Sequence, residues 1–133
     1  MRGASESSAA SEPSGQPPAQ LVCRVSSTTA SRQTNCAGGC PLGSLASELS
    51  EAPRTRLALA ESFARWASYF EAAFARMQTR AGRKPGGDLK ALSEALLASL
   101  QGGLLLAQTM RSTRPLELAL DMAIDHVAAQ LKL

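Results

Sequence analysis

Aromatic residues are scarce in this sequence, whose 133 residues include only three Phe, one Tyr and one Trp. Alanine and leucine are abundant instead, with 24 and 19 residues. Both residue types lose little free energy on entering a helix, whereas a β-sandwich draws on Val, Ile, Thr and aromatic residues. The composition therefore predicts an all-α fold, and the length is that of one domain.

The sequence also lacks long apolar runs, a secretory signal and an even number of cysteines. The longest unbroken apolar run near the middle covers residues 104–107, far short of the ~20 residues of a membrane span. The first residues, MRGASESS, contain no apolar signal region. The three cysteines cannot all form disulfides within one chain. We therefore expect a cytoplasmic protein with no membrane partner.

The charge balance does not indicate nucleic-acid binding, and the motifs do not indicate catalysis. The chain has 14 basic and 11 acidic residues, too balanced a composition to indicate nucleic-acid binding. It contains no phosphate-binding loop and no metalloprotease or calcium-loop pattern. Cys36 and Cys40 are spaced C-x3-C, with Cys23 upstream and His126 as the single histidine, but zinc sites usually have closer cysteine pairs. We predict no catalytic residue, no metal site and no cofactor.

The chain changes character near residue 36. Residues 1–35 contain eight Ser and three Pro, and their only aliphatic residues larger than Ala are Leu21, Val22 and Val25. Such a segment buries too little apolar surface to offset the entropy of ordering it. We predict a disordered segment over 1–35 and a folded domain over 36–133.

Apolar spacing in the folded part predicts one short and three long helices. The short helix is indicated by Leu42, Leu45, Ala46 and Leu49, at i, i+3, i+4 and i+7. The first long helix covers about 54–80 and carries one apolar stripe. The stripe consists of Leu59, Phe63, Trp66, Phe70, Phe74 and Met77. Its aromatic members are suited either to the core or to the wall of an apolar ligand cavity.

The helix predicted over about 89–112 is apolar on nearly every side. Asp88 is a suitable N-cap for it, and from Ala95 to Ala107 its only polar side chains are Ser99 and Gln101. A helix that is apolar all round must be buried all round. In so small a domain, one side faces the chain's own core, and we expect the other to face a second subunit. Pro115 begins the last helix, predicted over about 115–131.

Several segments resemble one family of bacterial repressors. Residues 39–49, GCPLGSLASEL, look like the short helix that opens the C-terminal part of TetR/AcrR-type regulators, most of all the LmrA/YxaF-like branch. The aromatic helix with Phe63 and Trp66, residues 100–107 and residues 115–121 are similar to the later helices of the domain in that branch. The resemblance covers about residues 38–133.

This resemblance implies a helical domain that binds small lipophilic effectors and dimerises. In the family, the last two long helices pack against their symmetry mates as a four-helix bundle. We predict a ligand pocket lined by Phe63, Trp66, Phe70, Phe74, Leu100, Leu104 and Gln108. We predict a dimer interface that includes Leu97, Gln101, Leu105, Leu116, Leu120, Ala123, Ile124 and Val127.

The family's three-helix DNA-binding head has no counterpart in this pattern. Such a head needs roughly 40 residues of periodic sequence, and residues 1–35 offer neither the length nor the period. The expectation is a truncated regulator without direct DNA binding, forming a homodimer or a heterodimer with a full-length relative. The alternatives are a stand-alone helical module that binds a ligand or a partner without a regulatory role, and a non-functional gene remnant.

Overall fold

The computed structural model describes residues 39–132, and within that range the secondary structure consists of four α-helices without strands. We number them in chain order, α1 (Pro41–Glu48), α2 (Pro53–Arg80), α3 (Leu89–Met110) and α4 (Arg114–Leu131). The prediction of an all-α domain with one short and three long helices is confirmed. The disorder predicted for 1–35 falls outside the described residues and stays a prediction.

Each helix begins where its sequence favours a start. Pro41, Pro53 and Pro115 occupy the first or second position of their helices, where a missing backbone N–H costs nothing. Asp88 caps α3, because its Oδ1 accepts a hydrogen bond of 2.9 Å from the backbone N–H of Ala91. This cap satisfies one of the donors that every helix N-terminus leaves unpaired.

The third helix ends at Met110, two residues before the predicted end. Arg111 takes a left-handed conformation with φ of 51°. The backbone N–H groups of Arg111 and Ser112 then both donate to the carbonyl oxygen of Ala107. This is the usual way in which a left-handed residue terminates a helix, and apolar periodicity alone does not reveal it.

A buried glutamine holds the connection between α2 and α3. The side chain of Gln78 is 6% exposed. Its Nε2 donates to the carbonyl oxygen of Gly86 at 3.1 Å, and the Gly86 N–H donates to its Oε1 at 2.9 Å. One buried amide is thereby satisfied on both its donor and acceptor sides, and the turn that leads into α3 is tied to the end of α2.

The core is built from α2, α3 and α4 in two connected clusters. One lies towards the C-terminal end of α2 and comprises Phe74, Met77, Leu92, Leu96, Ala123, Val127 and Leu131. The other lies around the turn between α3 and α4 and comprises Leu100, Ala107, Leu116 and Leu120. Phe70 packs against both clusters, so the long second helix braces the whole α3–α4 pair.

Close contact between α3 and α4 depends on Gly103. A Cβ atom at this position would lie 2.9 Å from the Cδ1 of Leu116, 3.0 Å from the Cα of Leu116 and 3.4 Å from the Cβ of Ala119. A rotamer change of Leu116 could move its Cδ1, but it could not move the Cα, so part of the contact would remain. A Cβ at the adjacent Gly102 would meet nothing within 4 Å. The two glycines therefore differ sharply, although they are neighbours in one helix.

We expect Gly103→Ala to lower the free energy of unfolding by about 1–3 kcal/mol, because the added methyl overpacks the α3–α4 contact. Gly102→Ala is the matched control. It should leave the stability unchanged or raise it by up to ~1 kcal/mol, since alanine favours helix over glycine. Urea titration of both variants, at a protein concentration low enough for light scattering to give the monomer mass, measures the difference in packing within one chain. Equal effects of the two substitutions would contradict the packing described here.

We expect Gln78→Met to lower the free energy of unfolding by about 1–2 kcal/mol, because two hydrogen bonds to Gly86 are lost. Methionine has nearly the same length and remains compatible with helix. Gln130→Met, at an exposed position of α4, is the control and should have little effect. Thermal melts that shifted equally for the two variants would show that the hydrogen bonds between Gln78 and Gly86 do not stabilise the domain.

Candidate functional site

A cleft of about 470 Å³ lies between α1 and the second half of α3. It is open to solvent on one side, and its volume falls within the usual range for small-molecule pockets. Helix α2 contributes one side chain, Phe63, to its wall. The lining residues are Cys40, Gly43, Ser44, Ala46, Ser47, Glu48, Phe63, Gln101, Gly102, Leu104, Leu105 and Gln108.

Two glutamines of α3 approach the first turn of α1 and the two residues before it. Gln101 Nε2 donates to the Sγ of Cys40 at 3.4 Å, and a Cβ at Gly43 would lie 2.9 Å from Gln101 Oε1. At Gly39 a Cβ would collide with the side-chain amide of Gln108. The spacing of Gly39 and Gly43 thus lets α1 approach the two amides closely.

Helix α1 is held lightly by comparison with the other three helices. None of its residues is buried, whereas α2, α3 and α4 each bury at least five. Elements with few buried apolar contacts open at low free-energy cost. The cleft therefore has one rigid wall, formed by α2 and α3, and one wall that can adjust.

The chemistry of the cleft is mainly apolar, with a polar margin. Phe63, Leu104 and Leu105 supply apolar surface, and Gln101 and Gln108 supply amides. Glu48 is the single carboxylate in the lining, and no Lys, Arg or His from the described part of the chain lines the cleft. This composition suits an organic molecule with an apolar body rather than a metal ion or a phosphate.

The structure divides the predicted pocket residues into two groups. Phe63, Leu104 and Gln108 line the cleft. Phe74 and Leu100 are buried in the two core clusters, and Trp66 and Phe70 pack against those clusters. The six lining residues from Cys40 to Glu48 were not predicted, because apolar spacing indicates a helix there but not the surface it lines. The glycine spacing of residues 39 and 43 was the signal that could have indicated a close contact there.

The predicted interface residues also separate by burial. Leu116, Leu120 and Val127 face the core of their own chain and are almost completely inaccessible, and Leu97 and Ala123 are buried as well. Ile124 packs against the second cluster, and Gln101 and Leu105 line the cleft. These five buried side chains offer almost no accessible surface to a second subunit, whereas Leu105 is 60% exposed and Gln101 and Ile124 are half-buried. The predicted interface stays a prediction.

A second surface, which we call the outer face, lies on α3 and α4. Its exposed members are Ala95, Ala98, Gly102, Leu106, Leu118 and Met122. Leu106 and Leu118 are each 50% exposed and Met122 is 69% exposed. A groove of about 240 Å³ runs along this face, where Ala95 and Ser99 of α3 lie opposite Met122 and His126 of α4. The face is thus apolar and shallow, with three small residues and Leu106 on α3 and two large residues on α4.

Helix α3 is long and apolar enough, by length and composition, to pass as a membrane span. The core helix of a soluble protein passes the same test, and one such helix is weak support for a span. Only 33% of its most apolar 18-residue stretch is buried inside the chain. Much of the apolar surface of α3 is therefore left uncovered by residues 39–132.

The helices contain no group of three His, Cys, Asp or Glu side chains placed to hold a metal ion, as far as residues 39–132 are concerned. His126 is exposed on α4, and Cys40 lies at the cleft, next to Gln101. Cys40 and His126 thus belong to different surfaces.

A comparison with protein-family models identifies the family to which this chain belongs. A family model described as "Transcriptional regulator LmrA/YxaF-like, C-terminal domain" matches residues 19–122, well over half of the chain. No curated protein and no solved structure matches the chain at a significant level. Domains of this kind are regulatory rather than enzymatic, and they typically dimerise and bind small-molecule ligands. The chain therefore belongs to the LmrA/YxaF-like transcriptional regulators of the TetR family and contains their C-terminal domain.

Proposed function

We propose that residues 39–132 dimerise through the outer face of α3 and α4 and bind a small lipophilic effector in the cleft beside α1. The observation that carries the dimer is the uncovered surface of α3. Two thirds of the residues in its most apolar stretch are not buried within the chain. An apolar helix left this exposed favours association, because each Å² of apolar surface removed from water contributes roughly 25 cal/mol.

The shape of the outer face fits a second copy of the same two helices. Small residues along α3, Ala95, Ala98 and Gly102, allow another helix to approach closely, and Met122 and Leu118 protrude beside them. In a two-fold dimer each chain offers the same patch, so protruding and recessed positions of one copy meet their complements on the other. The four helices then form a bundle with an apolar centre.

The interface proposed here shifts from the residues expected from sequence to their neighbours on the same helices. Leu106, Leu118 and Met122 replace buried positions such as Leu116 and Leu120. The pairing of the last two helices with their symmetry mates is unchanged. Only the side of each helix that meets the partner is different.

The regulatory task of such a domain is to link effector binding to the dimer. The cleft and the outer face share α3, with Gly102 present in both. We propose that an effector in the cleft stabilises one arrangement of α3 and thereby one arrangement of the dimer. We place the protein in the cytoplasm, where regulators of this family work.

Contacts with DNA are assigned in this proposal to a partner or to residues beyond 39–132. The long helices α2, α3 and α4 are committed to the core and the outer face, and the eight residues of α1 include no Lys or Arg. Base readout needs a helix free to enter the major groove. A heterodimer with a relative that carries a DNA-binding head is the second form that we propose.

We expect Leu106→Glu to raise the dimer dissociation constant by about 30-fold or more, because a charge is placed in an apolar interface at a cost of at least ~2 kcal/mol. Met122→Glu should act in the same direction. Leu57→Glu is the matched control, since Leu57 is equally exposed on α2 but lies on neither surface. Light scattering over a concentration series gives the mass, and circular dichroism checks the helix content.

A wild-type chain that stayed monomeric at every concentration would contradict the dimer. So would a dimer that dissociated with Leu57→Glu and resisted both outer-face substitutions.

We expect the chain to exchange subunits with a full-length regulator of the same branch that carries a DNA-binding head. Co-expression followed by native mass spectrometry should show the mixed dimer. The mixed dimer should bind operator DNA more weakly than the full-length homodimer, because one head is missing. Leu106→Glu should suppress the exchange and Leu57→Glu should not. Mixed dimers formed equally by both variants would exclude the outer face as the site of exchange.

A further inference from the structure

The charge of the cleft lining has the opposite sign to the net charge of the chain. The whole chain has more basic than acidic residues and a net charge of +3. The described part of the cleft lining has the opposite balance, with the carboxylate of Glu48 and no basic side chain. We propose that the effector is an amphipathic organic cation, with its charge beside Glu48 and its apolar body against α3. This inference rests on the proposed effector-binding role of the cleft.

The end of α1 adds to the negative potential at Glu48. Ala46, Ser47 and Glu48 form the last turn of α1, and all three line the cleft. The C-terminus of a helix carries a partial negative charge from its aligned peptide dipoles. The carboxylate and the dipole therefore act in the same direction, and the C-terminal part of α1 contains no Lys, Arg or His that would counter them.

The opposite wall offers the surface that an apolar, cationic body requires. Phe63 presents an aromatic ring, whose face attracts cations that approach within about 6 Å. Leu104 and Leu105 extend the wall with aliphatic surface. An organic ammonium or phosphonium ion with aryl groups can satisfy both walls at once. A small inorganic cation would leave the apolar wall unused, and an organic anion would face the carboxylate.

The neutral polar groups of the cleft are compatible with this class. Gln101 and Gln108 contact Cys40 and Gly39, the two residues just before α1, so these amides help to position α1 against α3. A bulky ligand can enter by displacing α1, which buries none of its own residues. Specificity for a cation then comes from one carboxylate, and affinity comes from the apolar area.

Tetraphenylphosphonium and tetraphenylborate are the probes for this proposal, because they have the same four phenyl groups and opposite charges. Isothermal titration at two salt concentrations should show tighter binding of the phosphonium, with one site per chain. The net positive charge of the chain favours the borate at long range. A preference for the phosphonium therefore reports a local carboxylate and not the overall charge.

We expect Glu48→Gln to weaken phosphonium binding by about three- to fivefold, the range for an exposed ion pair of up to ~1 kcal/mol. The same substitution should leave borate binding unchanged or improve it. Glu51→Gln is the matched control, since Glu51 is exposed three residues further on and outside the cleft. Both positions are exposed, so neither substitution removes a core contact.

Equal affinities for the two probes would overturn the proposal, and so would equal effects of Glu48→Gln and Glu51→Gln. Light scattering on the same samples separates this failure from failure of the proposed function. A stable dimer that bound neither probe would overturn the cationic effector and leave dimerisation standing. A monomer that bound the phosphonium through Glu48 would support the effector class and contradict the dimer.

Discussion

The contact between α3 and α4 at Gly103 is the constraint on which the rest of the domain depends. A glycine at this point lets the backbone of α4 approach at Leu116, and Leu116 and Leu120 are then completely enclosed. Helix α2 packs across the pair through Phe70 and Phe74. Without this close approach of α3 and α4, helix α2 could not pack against both core clusters.

The same contact determines which surfaces remain for function. Once α4 and α2 cover two sides of α3, two other sides of α3 are left. One side, with Gln101, Leu104 and Gln108, meets α1 and forms the cleft. The other, with Ala95, Ala98 and Leu106, continues onto α4 as the outer face. A dimer and an effector can therefore act on two sides of one helix that adjoin at Gly102, and this is the physical basis for linking them.

The strength with which each helix is held depends on the same arrangement. The three long helices are fixed by buried side chains and by the two hydrogen bonds between Gln78 and Gly86, in the loop before α3. Helix α1 buries no residue and is positioned by contacts such as that between Gln101 and its N-cap residue, Cys40. Ligand sites commonly combine a rigid scaffold with a less stable element. In this domain, α1 is the less stable element, and it also carries Glu48, the carboxylate that lines the cleft.

The sequence by itself determined the helices, because apolar spacing, prolines and the Asp88 cap are local properties that depend on residues close along the chain. It also indicated the family, through the GCPLGSLASEL segment and the apolar third helix. Only the tertiary structure decided which side of each helix is buried. Leu116 and Leu106 are equally apolar in sequence, yet one is enclosed and the other half exposed. Helix packing is set by where α3 and α4 approach most closely, and that point depends on a single glycine whose neighbour, Gly102, is chemically identical to it.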